Sequence, residues 1–131
     1  MTGTRSDEHR VGGGMLSMLS TAMVTLHKEQ FGRGPTRARA NFAGGDTLVV
    51  VLDDVMLPAE RMMVEMGDQQ RVRESRAALQ AATRDKFVAA VEAVVGRSVV
   101  AFASAIDPDQ GVVWEVFNLE PSGSQSLDGT G

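Results

Sequence analysis

The sequence has no cysteine and only two histidines, so it offers little of the usual material for a metal or thiol site. Disulfides, thiol nucleophiles and cysteine zinc sites are therefore excluded. No stretch approaches the roughly 20 apolar residues that a membrane-spanning helix needs, and residues 1–8 are too polar and acidic for a signal peptide. We expect a cytoplasmic chain without metal or cofactor that does not insert into a membrane. The inner face of the membrane is the alternative location.

Tyrosine is also absent, tryptophan occurs once, and 17 acidic residues outnumber 13 basic ones. The resulting net charge of −4 and the scarcity of aromatic residues argue against a nucleic-acid binder. The 131 residues, of which 43% are hydrophobic and 23% charged, fit one globular domain. Because both ends are rich in glycine or small polar residues, we predict disorder over residues 1–14 and 121–131 and a single domain over residues 15–120.

The periodicity of apolar residues predicts three helices and four strands. The predicted helices are 15–31, 57–66 and 69–95, and the predicted strands are 37–42, 47–52, 98–104 and 112–119. Because strands joined by short connections pair antiparallel, the order α-β-β-α-α-β-β predicts an α+β fold, with a four-stranded antiparallel sheet and helices packed on one face.

Two patterns predict the core of this fold. Strand 47–52 is apolar on both faces, which places it in the centre of the sheet. The apolar stripe of the long helix predicts these buried residues: Val72, Leu79, Thr83, Phe87, Ala90, Val91 and Val94.

Three arginines follow the first helix within a glycine-containing segment that has no acidic residue. Alternation places Arg37 and Arg39 on the same strand face, and the glycines beside Arg33, including Gly34, allow a close approach of backbone N–H groups to an anion. Guanidinium groups bind carboxylates and phosphates through two parallel hydrogen bonds. The segment is thus a candidate anion or partner site, and the alternative is that each arginine pairs with an intramolecular carboxylate such as Asp53.

A second basic set, Arg73, Arg76 and Arg84, falls on one side of the long helix. We assign Arg73 and Arg76 to the same candidate anion or partner site. The alternative is that these arginines pair with acidic residues of the preceding segment, namely Asp53, Asp54, Glu60 or Glu65.

Two further features have a structural and a functional interpretation. His27 lies near the end of the first helix, where the helix dipole favours it, and a role as general base is the alternative. Met62 and Met63 are adjacent on a short helix, so their side chains point about 100° apart and cannot share one narrow core stripe. We therefore expect one of them to contact a partner, a ligand or another helix.

Five segments carry a resemblance to a known family: 28–39, 52–60, 72–76, 96–97 and 114–117. Together they resemble the MpsC-type domain, a bacterial family named after a sodium-translocating, membrane potential-generating system. The resemblance extends over residues 15–120 and brings no catalytic residues with it. It implies a peripheral component of an ion- or bicarbonate-translocating membrane system. Leu57 stands where the family commonly has threonine or serine, which removes a helix cap worth about 1 kcal/mol.

These observations favour a non-enzymatic accessory or regulatory protein that forms a homo-oligomer and binds a protein partner, such as a protein of the membrane system, or a small anion. The alternative is a ligand-binding or catalytic domain with an arginine-lined pocket. RNA binding through Arg33, Arg37 and Arg39 is a weaker alternative, because the overall charge is acidic.

Overall fold

The computed structural model describes the backbone of residues 2–121 and the side chains of residues 14–121. Within that part the chain forms three helices and four strands in the predicted order, which confirms the α+β class. The elements are α1 (Thr2–Phe31), β1 (Arg37–Ala43), β2 (Thr47–Asp53), α2 (Pro58–Glu65), α3 (Gln69–Val95), β3 (Val99–Asp107) and β4 (Val112–Leu119).

The four strands form one antiparallel sheet in the order β1-β2-β4-β3. Val50 of β2 pairs with Ala40 of β1 on one side and with Glu115 of β4 on the other. The apolar strand β2 is therefore central, as predicted. Two local hairpins, β1-β2 and β3-β4, meet at the long-range pairing between β2 and β4.

Helices α1 and α3 pack against one face of the sheet, which we call the covered face. The main core lies between these layers, because every second residue of each strand points to the helices. Its buried members are Leu19, Met23, Ala40, Leu48, Val50, Leu52, Val55, Phe87, Val91, Val113, Phe117 and Leu119. Since α1 and α3 both lie on this side, the opposite face has no helix over it within the described residues.

Local signals explain where the later helices begin and end. Gly96 ends α3 with a left-handed φ of 70°, a conformation that glycine adopts without the penalty of a Cβ atom. Leu57 is the N-cap of α2 and has no hydroxyl, so Glu60 Oε1 instead accepts a hydrogen bond of 2.8 Å from the backbone N–H of Leu57. The half of the capping box in which the N3 side chain accepts from the N-cap backbone is thus present, although the N-cap residue is neither serine nor threonine.

The largest differences between the structure and the sequence predictions lie in three places, while the other element ends differ by at most one residue. Helix α1 begins at Thr2 and not at residue 15, because periodicity reveals only the part of a helix that packs on the sheet. Strand β3 continues to Asp107. Leu79 was predicted to be buried but is 39% exposed, and the neighbouring turn of α3 buries Arg76 in its place. The predicted disorder of residues 1–14 and 121–131 stays a prediction, since residue 1, the side chains of residues 2–13 and residues 122–131 lie outside the described part.

Candidate functional site

The uncovered side of the sheet, which we call the open face, has an apolar centre and a basic edge. Its members alternate with the core residues and line up across the strand pairs. The central members are Val49 and Val51 of β2, Trp114 and Val116 of β4, and Ala101, Ala103 and Ala105 of β3; the polar and end positions are Arg37, Arg39, Asn41 and Ala43 of β1, Thr47 and Asp53 of β2, Val112 and Asn118 of β4, and Asp107 of β3. Such a face usually carries mainly polar residues when it contacts water.

The two arginines at the edge of this face have different surroundings. Arg39 donates a hydrogen bond of 3.3 Å to Asp53 of the neighbouring strand. Arg37 is exposed and has no carboxylate partner among the residues described. Both arginines lie on the open face, as the alternation along the strand predicted.

Arg33 contacts the segment that leads into α2. Its guanidinium donates to the backbone oxygen of Met56 at 2.8 Å and to Asp54 at 3.2 Å, while Asp54 also accepts from Arg61 at 2.8 Å. The adjacent Gly34 packs so closely on α1 that an added Cβ would lie 3.3 Å from a methyl group of Val24. Arg33 and Arg39 thus each pair with one carboxylate of the Asp53–Asp54 dipeptide, the intramolecular alternative stated above.

Arg76 is part of a buried ion pair that connects α2 to α3. Its Nε and Nη2 atoms donate to the two carboxylate oxygens of Glu60 at 2.7 and 2.6 Å, and Nη2 also donates to the backbone oxygen of Val55 at 2.9 Å. The guanidinium lies 4.0 Å from the ring centre of Phe31, a cation–π contact. Burial raises the pKa of Glu60, but the hydrogen bonds from Arg76 and Leu57 and the charge of Arg76 outweigh it, and the pKa is lowered.

A second buried pair joins α1 to the sheet. The Nε2 atom of His27 lies 3.0 Å from Oε2 of Glu115, and both side chains are almost fully buried. An ionised carboxylate can only accept, so the imidazole N–H donates in this pair when the carboxylate is ionised. The other oxygen, Oε1 of Glu115, is buried and has no partner among the described residues.

Aromatic rings extend from the core to this pair. The ring of Phe117 stacks on Phe102, and Phe102 stacks on Phe87. Phe87 in turn makes a T-shaped contact with His27 at a centroid distance of 5.4 Å. On its other side His27 stacks on Phe31 at 5.6 Å. The imidazole is thus held by ring contacts as well as by Glu115.

A pocket of about 300 Å³ opens beside these groups, between α1, α3 and the β3 edge of the sheet. Its polar lining comes from His27, Arg73, Arg76, Gln80 and Ser104, and its apolar lining comes from Phe31, Ala77, Ala105, Ile106 and Val113. Ser104 is exposed although it points to the covered face, because the helices leave this part of the sheet open.

The two methionines of α2 differ in exposure. Met62 is 62% exposed, whereas Met63 is half-buried. This agrees with the argument that adjacent helical residues cannot share one core stripe. Contact of either side chain with a partner stays a prediction.

Comparison with known protein families gives a match that spans nearly the whole described part of the chain. A family model described as "Na+-translocating membrane potential-generating system (MpsC)" matches residues 13–121. The chain belongs to the MpsC family. This confirms the resemblance that segments 28–39 and 114–117 indicated, and the family name links the chain to a Na⁺-translocating membrane system. No curated protein and no solved structure gave a match.

Two structural findings bear on how an MpsC-family chain could act. Within residues 2–121 no helix is both long and apolar enough to cross a bilayer. In the same part of the chain no three histidine, aspartate or glutamate side chains come close enough together to hold a metal ion.

Sequence reasoning singled out His27, Arg73 and Arg76 of the pocket but missed Gln80 and Ser104, and it also missed Glu115, the buried partner of His27. A signal for Glu115 was present, because it occupies an inward position between Val113 and Phe117 in an alternating strand. A charged residue in such a position needs a buried partner. That the partner is His27, 88 positions away, depends on the packing of α1 on the sheet.

Proposed function

We propose that this MpsC-family protein is a non-enzymatic accessory component of a Na⁺-translocating, membrane potential-generating system, and that it works as a homodimer formed through the open face. The observation that carries the proposal is the apolar centre of that face. Val49, Val51 and Val116 are only half-buried in the single chain, and Trp114 is 39% exposed.

Burial of this centre favours association with another protein surface. Each square ångström of apolar surface removed from water contributes about 25 cal/mol, so valine and tryptophan side chains at the middle of a flat face provide most of the gain. Two sheets pack face to face at a distance of about 10 Å, with their side chains interdigitated.

The strand order makes the open face complementary to a second copy of itself. A two-fold axis parallel to the strands reverses the order β1-β2-β4-β3, so β1 of one copy lies across from β3 of the other. The long side chain of Arg39 then faces the short side chain of Ala105, and Asn41 faces Ala103. Asp107 at the end of β3 lies at the same level of the sheet as Arg37 at the start of β1. In the dimer these two opposite charges therefore face each other across the contact.

Sedimentation velocity tests this interface directly. We expect a dimer for the unaltered protein and a monomer for Val51→Asp or Trp114→Glu, because a charge at the centre of the contact would be desolvated. Leu79→Glu on α3 is the matched control, since Leu79 is also 39% exposed but lies on a helix. A dimer that survives both open-face changes would reject the proposed interface.

The role in the membrane system needs a cellular test. We expect cells that lack the protein to lose Na⁺-dependent membrane potential, and complementation with Leu79→Glu to restore it. Complementation with Val51→Asp should fail although the variant is folded. Restoration by the monomeric variant would show that dimerisation is not needed for this role.

A further inference from the structure

We infer that the pocket between α1, α3 and β3 binds a small organic anion, namely a carboxylate with a compact apolar body. The inference goes beyond the proposed accessory function, because the pocket opens on the covered side of the sheet and shares only Ala105 with the proposed dimer contact. Its volume of about 300 Å³ is at the small end of the range for ligand pockets.

The charge of the lining selects an anion. Two arginines and one histidine line the pocket, whereas no aspartate or glutamate does, in a protein whose net charge is −4. The charge of Arg76 is neutralised by Glu60, and His27 is paired with the buried Glu115. Arg73 has no ion-pair partner among the described residues, so its guanidinium is the group that we assign to the ligand carboxylate.

The other lining residues require that the anion be organic. Phe31, Ile106 and Val113 contribute apolar side chains to the lining, which an inorganic anion such as phosphate would leave without a partner. An apolar group placed there would replace water against these side chains and gain hydrophobic free energy. A ligand with one charged end and one apolar end matches both halves of the lining.

One unsatisfied hydrogen-bond donor in the lining supports the same chemistry. The Nε2 atom of Gln80 is buried and donates to no acceptor within the described residues, although buried polar groups are normally paired. Ser104 also lines the pocket and offers a hydroxyl. A carboxylate carries four lone-pair positions, so it can accept from Arg73 and from Gln80 or Ser104 together.

Calorimetric titration of the whole protein with a panel of small probes tests the inference. We expect hexanoate and benzoate to bind at least tenfold more tightly than acetate or inorganic phosphate. Hexylamine, which has the same apolar body and the opposite charge, should not bind. The change Arg73→Gln should weaken hexanoate binding at least tenfold, whereas Arg84→Gln, an exposed arginine of the same helix outside the pocket, should leave it unchanged.

A second variant tests whether the anion binds inside the pocket or is attracted only by the surface charge. Ala77→Leu adds apolar volume to the pocket without changing charge, and leucine is compatible with a helix. We expect it to abolish hexanoate binding while the melting temperature stays within about 2 °C of the unaltered protein. Phosphate binding as tight as hexanoate binding, equal affinities for Arg73→Gln and the unaltered protein, or no saturable binding of any carboxylate would each overturn the inference.

Discussion

The two buried acid–base pairs of this domain lie close to the same pocket but differ in how completely they are satisfied. In the pair of Arg76 and Glu60 both carboxylate oxygens accept from the guanidinium. In the pair of His27 and Glu115 only one oxygen has a partner, and the other is buried without one. Because a satisfied pair holds elements in place and an unsatisfied polar group costs stability, the comparison distinguishes a complete anchor between α2 and α3 from a pair that is only half-satisfied.

The largest effect is expected from breaking the satisfied pair. Glu60→Gln places an amide NH₂ against the guanidinium and leaves the charge of Arg76 buried without a counter-charge. We expect a loss of about 3 kcal/mol in the free energy of unfolding, measured with urea. Glu65→Gln on the same helix is the control and should change stability by less than about 0.5 kcal/mol. Equal effects for the two changes would show that the pair is not an anchor.

Acidification breaks the same ion pair without a mutation, because protonation removes the charge of Glu60 and leaves the size of its side chain unchanged. The pKa of Glu60 is lower in the folded protein than its ordinary value of 4.5. The unfolded chain therefore binds the proton first, and the stabilisation present above pH 4.5 is lost as the pH falls through the folded pKa. We expect urea stability to decrease over this acidic range, with a shallower decrease in Glu60→Gln. Parallel pH profiles for the two proteins would contradict this.

A smaller effect is expected from the half-satisfied pair. In Glu115→Gln the amide oxygen can still accept from His27, and the NH₂ group takes the position of an oxygen that had no partner. We expect a loss of about 1 kcal/mol by urea unfolding, less than for Glu60→Gln. A loss as large as that of Glu60→Gln would mean that the ionic character of the His27 pair stabilises the fold as strongly as the anchor does.

The smallest effect is expected at the exposed pair of Arg39 and Asp53, where the arginine side chain is 45% exposed. Solvent and salt screen such a pair, so Arg39→Ala should reduce the free energy of unfolding by less than about 1 kcal/mol. Arg37→Ala, without a described carboxylate partner, is the control. A loss above 2 kcal/mol for Arg39→Ala would remove the distinction between buried and exposed pairs.

Most of the fold could be predicted because its signals are local. The strand pattern around Val50 and the stop at Gly96 depend on neighbouring residues, and the bounds 69–95 and 112–119 agree with α3 and β4. The predicted burial of Leu79 was wrong because periodicity assumes that a helix is covered along its whole length, whereas this side chain is 39% exposed.

Less of the candidate site could be predicted, since its contacts join distant parts of the chain. The pairing of Arg76 with Glu60 was one of several alternatives, and the choice among them depends on how α2 turns back onto α3. The pair of His27 and Glu115 was missed because each residue has an acceptable local explanation, one as a helix-end histidine and the other as part of an alternating strand. Only the packing of α1 on the sheet brings them together.

The position of the long-range strand pairing has a consequence for the order of folding. The hairpins β1-β2 and β3-β4 close over short loops, whereas the pairing of Val50 with Glu115 joins residues that are separated in the sequence by α2, α3 and β3 and therefore closes a much longer loop. Until then both central strands have an unpaired edge, and β2 is the most apolar strand of the sheet. We therefore expect an early intermediate with two separate hairpins, whose exposed edges make refolding yield fall as protein concentration rises.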